Sequence, residues 1–360
     1  MSPVSPVSPV SDPTLQVWGV DGVPEVQAGD DLATLLLDAL DSAGLQLRDG
    51  DVVTVTSKVV SKSEGAVSVG DRASAVAEDT VEILARRGST AIVRTRHGIV
   101  LAAAGVDASN TAPGTLVRLP ADPDDSARRL RSELCRRTRA TVGVVVTDTA
   151  GRPWRLGQTD MAIGAAGVRV LDDHAGRDDP HGNPLTVTAP AVPDEAAGAA
   201  ELATRKTAGR PFALLRGLGE HVTVADGPGA AALVRPRRLD MFALGAREAV
   251  LAATAACPPD AFGSPVDHVD LVHQLAALAE PTGDSLVGCE VSRDRDGLLL
   301  STEAPLECAA LLAQGALVTD ATRVATALGW HVADRRQLHD DVRECCEVEL
   351  TFRPGAHPAP

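Results

Sequence analysis

The segment Thr141–Thr147 reads TVGVVVT, an apolar run rich in β-branched residues. It does not alternate polar with apolar, so neither side can be left to water: it is a strand covered on both faces. It stops at Asp148-Thr149, which carries a carboxylate and a hydroxyl to the carboxyl edge of a sheet. Open α/β folds place their ligands at that edge. Further strands are expected at Leu15–Val20, Asp51–Ser57, Ala91–Arg94, Ile99–Ala103, Val168–Leu171, Leu185–Thr188 and Phe212–Leu215. Helical periodicity is expected from Asp31 to Leu47 and over Arg72–Arg87, Pro123–Arg139, Asp194–Thr207 and Arg238–Ala256. Strands and helices mix without regular alternation, which reads as α/β to α+β. The expected organisation is a Pro/Ser-rich tail over 1–14, a mixed-sheet domain over 15–256, and a smaller α+β C-terminal domain over 257–360. That last part reads as a helix (Val266–Ala279), a hairpin (Leu286–Arg293 with Gly297–Ser301), a long helix (Pro305–Leu328), a short helix (Asp334–Arg343) and a strand (Glu347–Phe352).

Charge and composition exclude several partners. A formal net charge of −15 disfavours nucleic acid and anionic membrane surfaces. With three Trp, four Phe and no Tyr, the core must be built from Ala, Val and Leu, and stacking platforms for single-stranded nucleic acid are not expected. No apolar run reaches the length of a membrane span, and MSPVSPVSPVSDP has neither the charge nor the apolar core of a signal peptide, so a cytoplasmic location is expected. Six Cys without a Cys-x-x-Cys pair fit reduced thiols, with a C-terminal zinc site as the minor alternative.

Of 34 basic residues only Lys58, Lys62 and Lys206 are lysine. Lysine is a compact point charge suited to phosphate oxygens, where Arg is a planar fork. Lys58 and Lys62 lie among serines after an apolar strand, in Thr56–Gly65, a segment without the glycine spacing of a Walker loop. Lys206 sits in TRKTAGRP (204–211), a cationic stretch expected between a helix and a strand. For each lysine taken singly, a solvated surface position is the bland alternative. Gly151–Asp160 gathers Arg152, Arg155, two glycines and a second Asp in what reads as a loop, costly to order without a ligand. Asp107 follows another apolar stretch and could share a cation with Asp148, since hard divalent cations want oxygen ligands. Turn or cap roles remain open for both aspartates.

These segments resemble one family, the F420-0 gamma-glutamyl ligases (coenzyme F420:L-glutamate ligases). The resemblance rests on GVPEV (22–26), DGDVVTVTSKVVSKSEG (49–65), AAAGVDASN (102–110), VVVTDTAGRPWRLGQTDMAIGAAG (144–167), HAGRDDPHGNPL (174–185), VPDEAAGAAEL (192–202) and LLRG (214–217). RRLDMFALGAREAV (237–250) resembles the segment that closes the ligase domain in actinobacterial members. The resemblance implies GTP-dependent joining of L-glutamate to F420-0 through an acyl phosphate, with Mg²⁺ or Mn²⁺, K⁺ as a further candidate cation, and a homodimer. By motif, Asp107 and Asp148 would bind one divalent metal and Thr149 a second. Ser57, Lys62, Asn110, the turn Val23-Pro24-Glu25-Val26 and the loop around Lys206 would contact GTP. Arg152 and Arg155 are expected to hold a phosphate or a substrate carboxylate, which suits bidentate guanidinium. Lys206 stands where other members use an acidic or amide metal ligand, so it is expected either to displace the second metal or to contact phosphate. Residues 258–360 are too few for the flavin-binding domain that follows the ligase in long members, so no reduction is assigned to this chain. The alternatives are another nucleotide-dependent carboxylate–amine ligase and a non-catalytic GTP-binding regulatory module.

Overall fold

The structure, a computed structural model, describes residues 15–108, 114–246, 248–250, 267–279, 287–294, 297–340 and 343–354. By contact the chain divides into two units, one of residues 1–83 with 87–234, the other of residues 84–86 with 235–360. The expected domain boundary at Cys257 lies outside the described residues.

The first unit is organised by a five-stranded mixed sheet in the order β1–β10–β2–β8–β9. Its strands are β1 (Gln16–Gly19), β2 (Val52–Thr56), β8 (Gly143–Gly151), β9 (Gln158–Ala166) and β10 (Phe212–Arg216). β2 and β8 run parallel, with Thr56 opposite Thr147, while the other neighbours are antiparallel. The apolar run at 141–147 is thus an interior strand, as its lack of alternation requires. One face packs on α1 (Leu32–Ser42) and α4 (Pro123–Thr138) through Leu36, Leu40, Leu130 and Leu134. The other packs on α5 (Val192–Thr204) through Val192, Ala196 and Ala200. Asp31 caps α1 by accepting from the Ala33 and Thr34 amides, and Asp122 caps α4 at the Asp125 amide. Inside α4's first turn, buried Asp124 accepts from the amides of Ala165 (2.8 Å), Ala230 (2.6 Å) and Ala231 (3.1 Å), tying helix, sheet and the following loop together. The Pro123 carbonyl comes so close to Gly164 that a β-carbon there would collide with it.

Smaller pieces surround this sheet. α2 (Ser57–Ser63) follows β2 directly, so the segment holding Lys58 and Lys62 is a short helix. β3 (Val67–Val69) pairs with β7 (Thr115–Val117). β5 (Thr90–Thr95) and β6 (Val100–Ala102) pair around the His97-Gly98 turn as expected, beside β4 (Thr80–Arg87). Several expectations fail here. The helix read over Arg72–Arg87 stops as α3 at Asp79, because Thr80, Val81 and Ile83 are β-branched and continue as β4. The loop read over Gly151–Asp160 is a hairpin: β8 runs to Gly151 and β9 starts at Gln158, which leaves only the tip outside the ladder. No strand forms at Leu185–Thr188, and Val168–Leu171 carries only isolated bridges, Val168 to Val222 and Leu171 to Ala191. Among the described residues, no helix is long and apolar enough to cross a membrane.

The second unit is α+β. A four-stranded antiparallel sheet, β11 (Gly288–Asp294), β12 (Gly297–Pro305), β14 (Cys345–Pro354) and β13 (Trp330–Asp340), packs with α6 (His268–Ala279) and α7 (Cys308–Ala327). Leu271, Leu275, Leu298, Leu300, Val318, Trp330, Leu350 and Phe352 form its core. Asp334–Arg343, read as a short helix, lies mostly in β13, whose side chains beyond Val332 are largely exposed. An edge strand with one buried residue offers no period-2 signal to read. Cys345 and Cys346 are buried free thiols, and among the described residues no group of three His, Cys, Asp or Glu gathers to hold a metal. Arg238–Ala256, expected as a helix, is a 3-10 turn at Arg237–Leu239 and then helical at Ala246 and Glu248–Val250, beyond which it leaves the described residues.

Candidate active site

The parallel pairing of β2 and β8 brings their carboxyl ends side by side. The residues that follow the Thr56–Thr147 pair are Ser57, the first of α2, and Asp148 of β8, and the Ser57 hydroxyl donates to Asp148 Oδ1 at 3.2 Å. Burial pushes the Asp148 carboxyl up to about 6; the Thr149 amide and the Ser57 hydroxyl oppose this, the Asp160 charge adds to it, and Lys206 opposes it. A carboxylate held this way is short of positive charge.

Successive residues of a strand point to opposite faces. Thr147 and Thr149 therefore face away from Asp148, and both hydroxyls donate to Asp160 on β9: Thr149 Oγ1 to Oδ1 at 2.7 Å, Thr147 Oγ1 to Oδ2 at 3.3 Å. Lys206 Nζ reaches Thr149 Oγ1 at 3.4 Å. These groups line a cavity of about 520 Å³. Its other walls are the Val23–Val26 turn, Lys58 and Lys62 on α2, Glu201 and Thr204 at the end of α5, and the loop that follows to Pro211. Lys62 is paired with Glu25, and Lys58 Nζ lies 2.5 Å from Asp107 Oδ2.

Val23, Pro24, Glu25, Val26, Lys62, Thr149 and Lys206, picked from distant parts of the chain, thus line one cleft. Ser57 and Asp148 sit one residue beyond lining residues Thr56 and Thr147, and Asp107 joins through Lys58. Asn110 lies outside the described residues. Arg152 and Arg155 stand apart: they are exposed at the hairpin tip and are not part of the cleft wall. The Arg152 guanidinium donates to the Leu156 carbonyl at 3.3 Å, within the tip itself.

Sequence reasoning missed Asp160 and Glu201 as site residues. Asp160 became legible only with the hairpin register, which sets it opposite Thr149. Glu201 carried a signal of its own: an acid in the last turn of α5, where that turn has no base. The helix dipole disfavours a carboxylate there.

Carboxylate and hydroxyl oxygens are the donors a hard cation such as Mg²⁺ or Mn²⁺ takes, usually together with phosphate oxygens and water. Asp148, lifted by burial and by a like charge, is the carboxylate such a cation would relieve. The chemistry of the donors fits; with no three acids gathered at one point among the described residues, ligand oxygens would have to complete the shell. Acids and hydroxyls at the sheet edge, faced across the cleft by lysines of α2 and of the loop after α5, make an arrangement suited to small anionic ligands. The F420-0:Gamma-glutamyl ligase family profile matches residues 22–217. The chain belongs to that family. It is 36% identical to the coenzyme F420:L-glutamate ligase of Methanothermobacter thermautotrophicus, over 62% of this chain and 97% of that protein. It is 39% identical to the protein of the same name from Methanopyrus kandleri, over 64% and 98%, and 37% identical to that of Archaeoglobus fulgidus, over 57% and 88%.

Proposed function

We propose that this chain joins L-glutamate to coenzyme F420-0 through a gamma-glutamyl amide, at the expense of GTP. The supporting observation is the convergence of the Val23–Val26 turn, α2 and the Lys206 loop on the acid-and-hydroxyl edge of β8 and β9. Lys58, Lys62 and Lys206 supply point charges for phosphate oxygens, while the backbone of the Val23–Val26 turn bounds the nucleotide. Phosphate binding takes Lys62 from Glu25 and Lys58 from Asp107, so the ion pairs keep the cleft charge-balanced before substrate arrives. A divalent cation held by Asp107 and Asp148 would neutralise phosphate charge; Thr149, on the other face of β8, would hold a second, and Lys206 beside it supplies part of the positive charge that this second cation would bring. The F420-0 carboxylate takes the terminal phosphoryl group of GTP and becomes an acyl phosphate. The glutamate amine then attacks its carbonyl carbon, releasing phosphate. Arg152 and Arg155, outside the cleft, hold the anionic far end of the substrate rather than the reacting atoms. The exposed Trp154 and Leu156 beside them favour a homodimer built through this arm. The reaction takes place in the cytoplasm.

Purified protein with F420-0, L-glutamate, GTP and Mn²⁺ is expected to yield GDP, phosphate and a product heavier by one or more glutamyl residues, read by mass spectrometry. GTP should outperform ATP. Folded protein that binds GTP yet forms no amide would instead point to the regulatory reading.

A further inference from the structure

The proposed reaction needs an anionic seat for an incoming ammonium and a group that takes its proton, because a protonated amine has no lone pair to attack with. Five acids belong to the cleft or its edge: Glu25, Asp107, Asp148, Asp160 and Glu201, and Asp107 is paired with Lys58. Glu25 is bound to Lys62 and mostly exposed. Asp148 points to the opposite face of β8, toward Ser57. Asp160 is buried, and each of its oxygens already accepts from a threonine hydroxyl. Glu201 differs from the other four. It is half-buried on the cleft wall, and its carboxylate has a single long contact, Thr204 Oγ1 at 3.4 Å. It sits at the negative end of α5, with no base in that turn to compensate.

We infer that Glu201 is the catalytic base that seats and deprotonates the amine nucleophile of the ligation, an inference that rests on the gamma-glutamyl ligase reading of the same cleft. Glu201 accepts one proton from the ammonium. The freed lone pair forms the C–N bond at the acyl phosphate carbonyl. The C–O bond to phosphate breaks, its electron pair leaves on inorganic phosphate, and the second N–H proton goes to that phosphate. The environment suits the task. Burial first, then the charge of Asp160, raise the Glu201 carboxyl, while Lys206 and Thr204 restrain the rise. A carboxylate made more basic in this way is a better proton acceptor than a free one.

The test separates activation from amine attack. Hydroxylamine is largely neutral at pH 7 and captures acyl phosphates as hydroxamates without needing a base. Glu201→Gln should lose glutamate addition by about 10²–10⁴-fold, the usual worth of acid–base catalysis. It should still form hydroxamate from F420-0, GTP and hydroxylamine within about twofold of wild type. Glu201→Asp, which keeps the acid one methylene shorter, should recover part of the glutamate rate. If Glu201→Gln adds glutamate at the wild-type rate, or loses both reactions in parallel, the inference is overturned. If wild-type protein forms neither product, the ligase reading falls and takes the inference with it.

Discussion

The base and the tip of the β8–β9 hairpin are built on opposite terms. At the base, Thr147, Thr149 and Asp160 are tied to one another across the two strands, and Asp148 is held from behind by Ser57. At the tip, Trp154 and Leu156 are 87% and 99% exposed, and the two arginines stand in solvent with them. At about 3.3 Å per residue, Gly151 lies about 7 Å beyond Thr149, so the tip stands well clear of the acids below it. One hairpin therefore carries a preorganised floor, where charge is fixed before substrate arrives, and an arm free to meet something larger. The floor should govern kcat and the arm KM or assembly.

The largest effects are expected at the floor. Asp148→Asn should lower turnover on the order of 10³-fold, or about 4 kcal/mol of transition-state stabilisation. The same change should stabilise the fold. The folded-state carboxyl is raised to about 6 from 3.8, so its contribution is intact below the lower value and is lost as pH rises through the higher one. Without divalent cation, the Asp148→Asn protein should thus match wild type near pH 4 and exceed it at pH 7.5 by at most about 3 kcal/mol in urea denaturation. Mn²⁺ should raise the wild-type Tm at pH 7.5 and leave the Asp148→Asn Tm unmoved. An equal shift in both proteins would remove Asp148 from cation binding.

Thr149→Val comes next. It keeps the β-branched shape and deletes the hydroxyl that Asp160 and Lys206 both contact. Leaving buried Asp160 with its weaker partner alone should cost about 1–3 kcal/mol of stability, measured by urea denaturation. Turnover should fall about 10²-fold with little change in KM, since a positioned group has been lost rather than a binding one. At the arm the pattern should invert. Arg152→Ala with Arg155→Ala is expected to raise the KM for F420-0 about tenfold, at nearly constant kcat and with stability within about 0.5 kcal/mol. A fall in kcat without a change in KM would put the arginines at the reacting atoms after all and erase the distinction.

The same contrast explains what could be read in advance. β8 was legible because a strand covered on both faces leaves an apolar run, and β2 because its residues are β-branched; Asp148 after the first marked the sheet edge. The lysines stood out only because the rest of the basic residues are Arg. Asp160 was seen as one more polar loop residue, since nothing local announces that Thr149 and Asp160 are cross-strand neighbours. Likewise α2 was not read as a helix, because seven residues with serine at both ends carry too few turns to show a period. The Val23–Val26 turn has no chemistry visible in its residues alone and entered through family likeness, whereas the loop after α5 was marked by Lys206; β1–β10 pairing helps bring the two to one cleft.

The smallest effect is expected at Trp154, and there the sign carries the information. Trp154 has φ 59°, the left-handed region that favours glycine. Holding an L-residue there costs roughly 1–2 kcal/mol. Glycine removes that strain but gives back about 0.5–1 kcal/mol in unfolded-chain entropy. For an arm that serves only substrate, Trp154→Gly should therefore stabilise the protein by about 0.5 kcal/mol at every protein concentration. For an arm that buries its indole against a second copy, the loss of a large apolar side chain, worth about 1.5–3 kcal/mol, outweighs the relief. The variant would then be less stable than wild type at high concentration and lose that deficit on dilution, as wild type also dissociates. Thermal melts over a hundredfold concentration range, with light scattering for mass, distinguish the two; a concentration-independent gain would remove the arm from the dimer and leave it to the substrate.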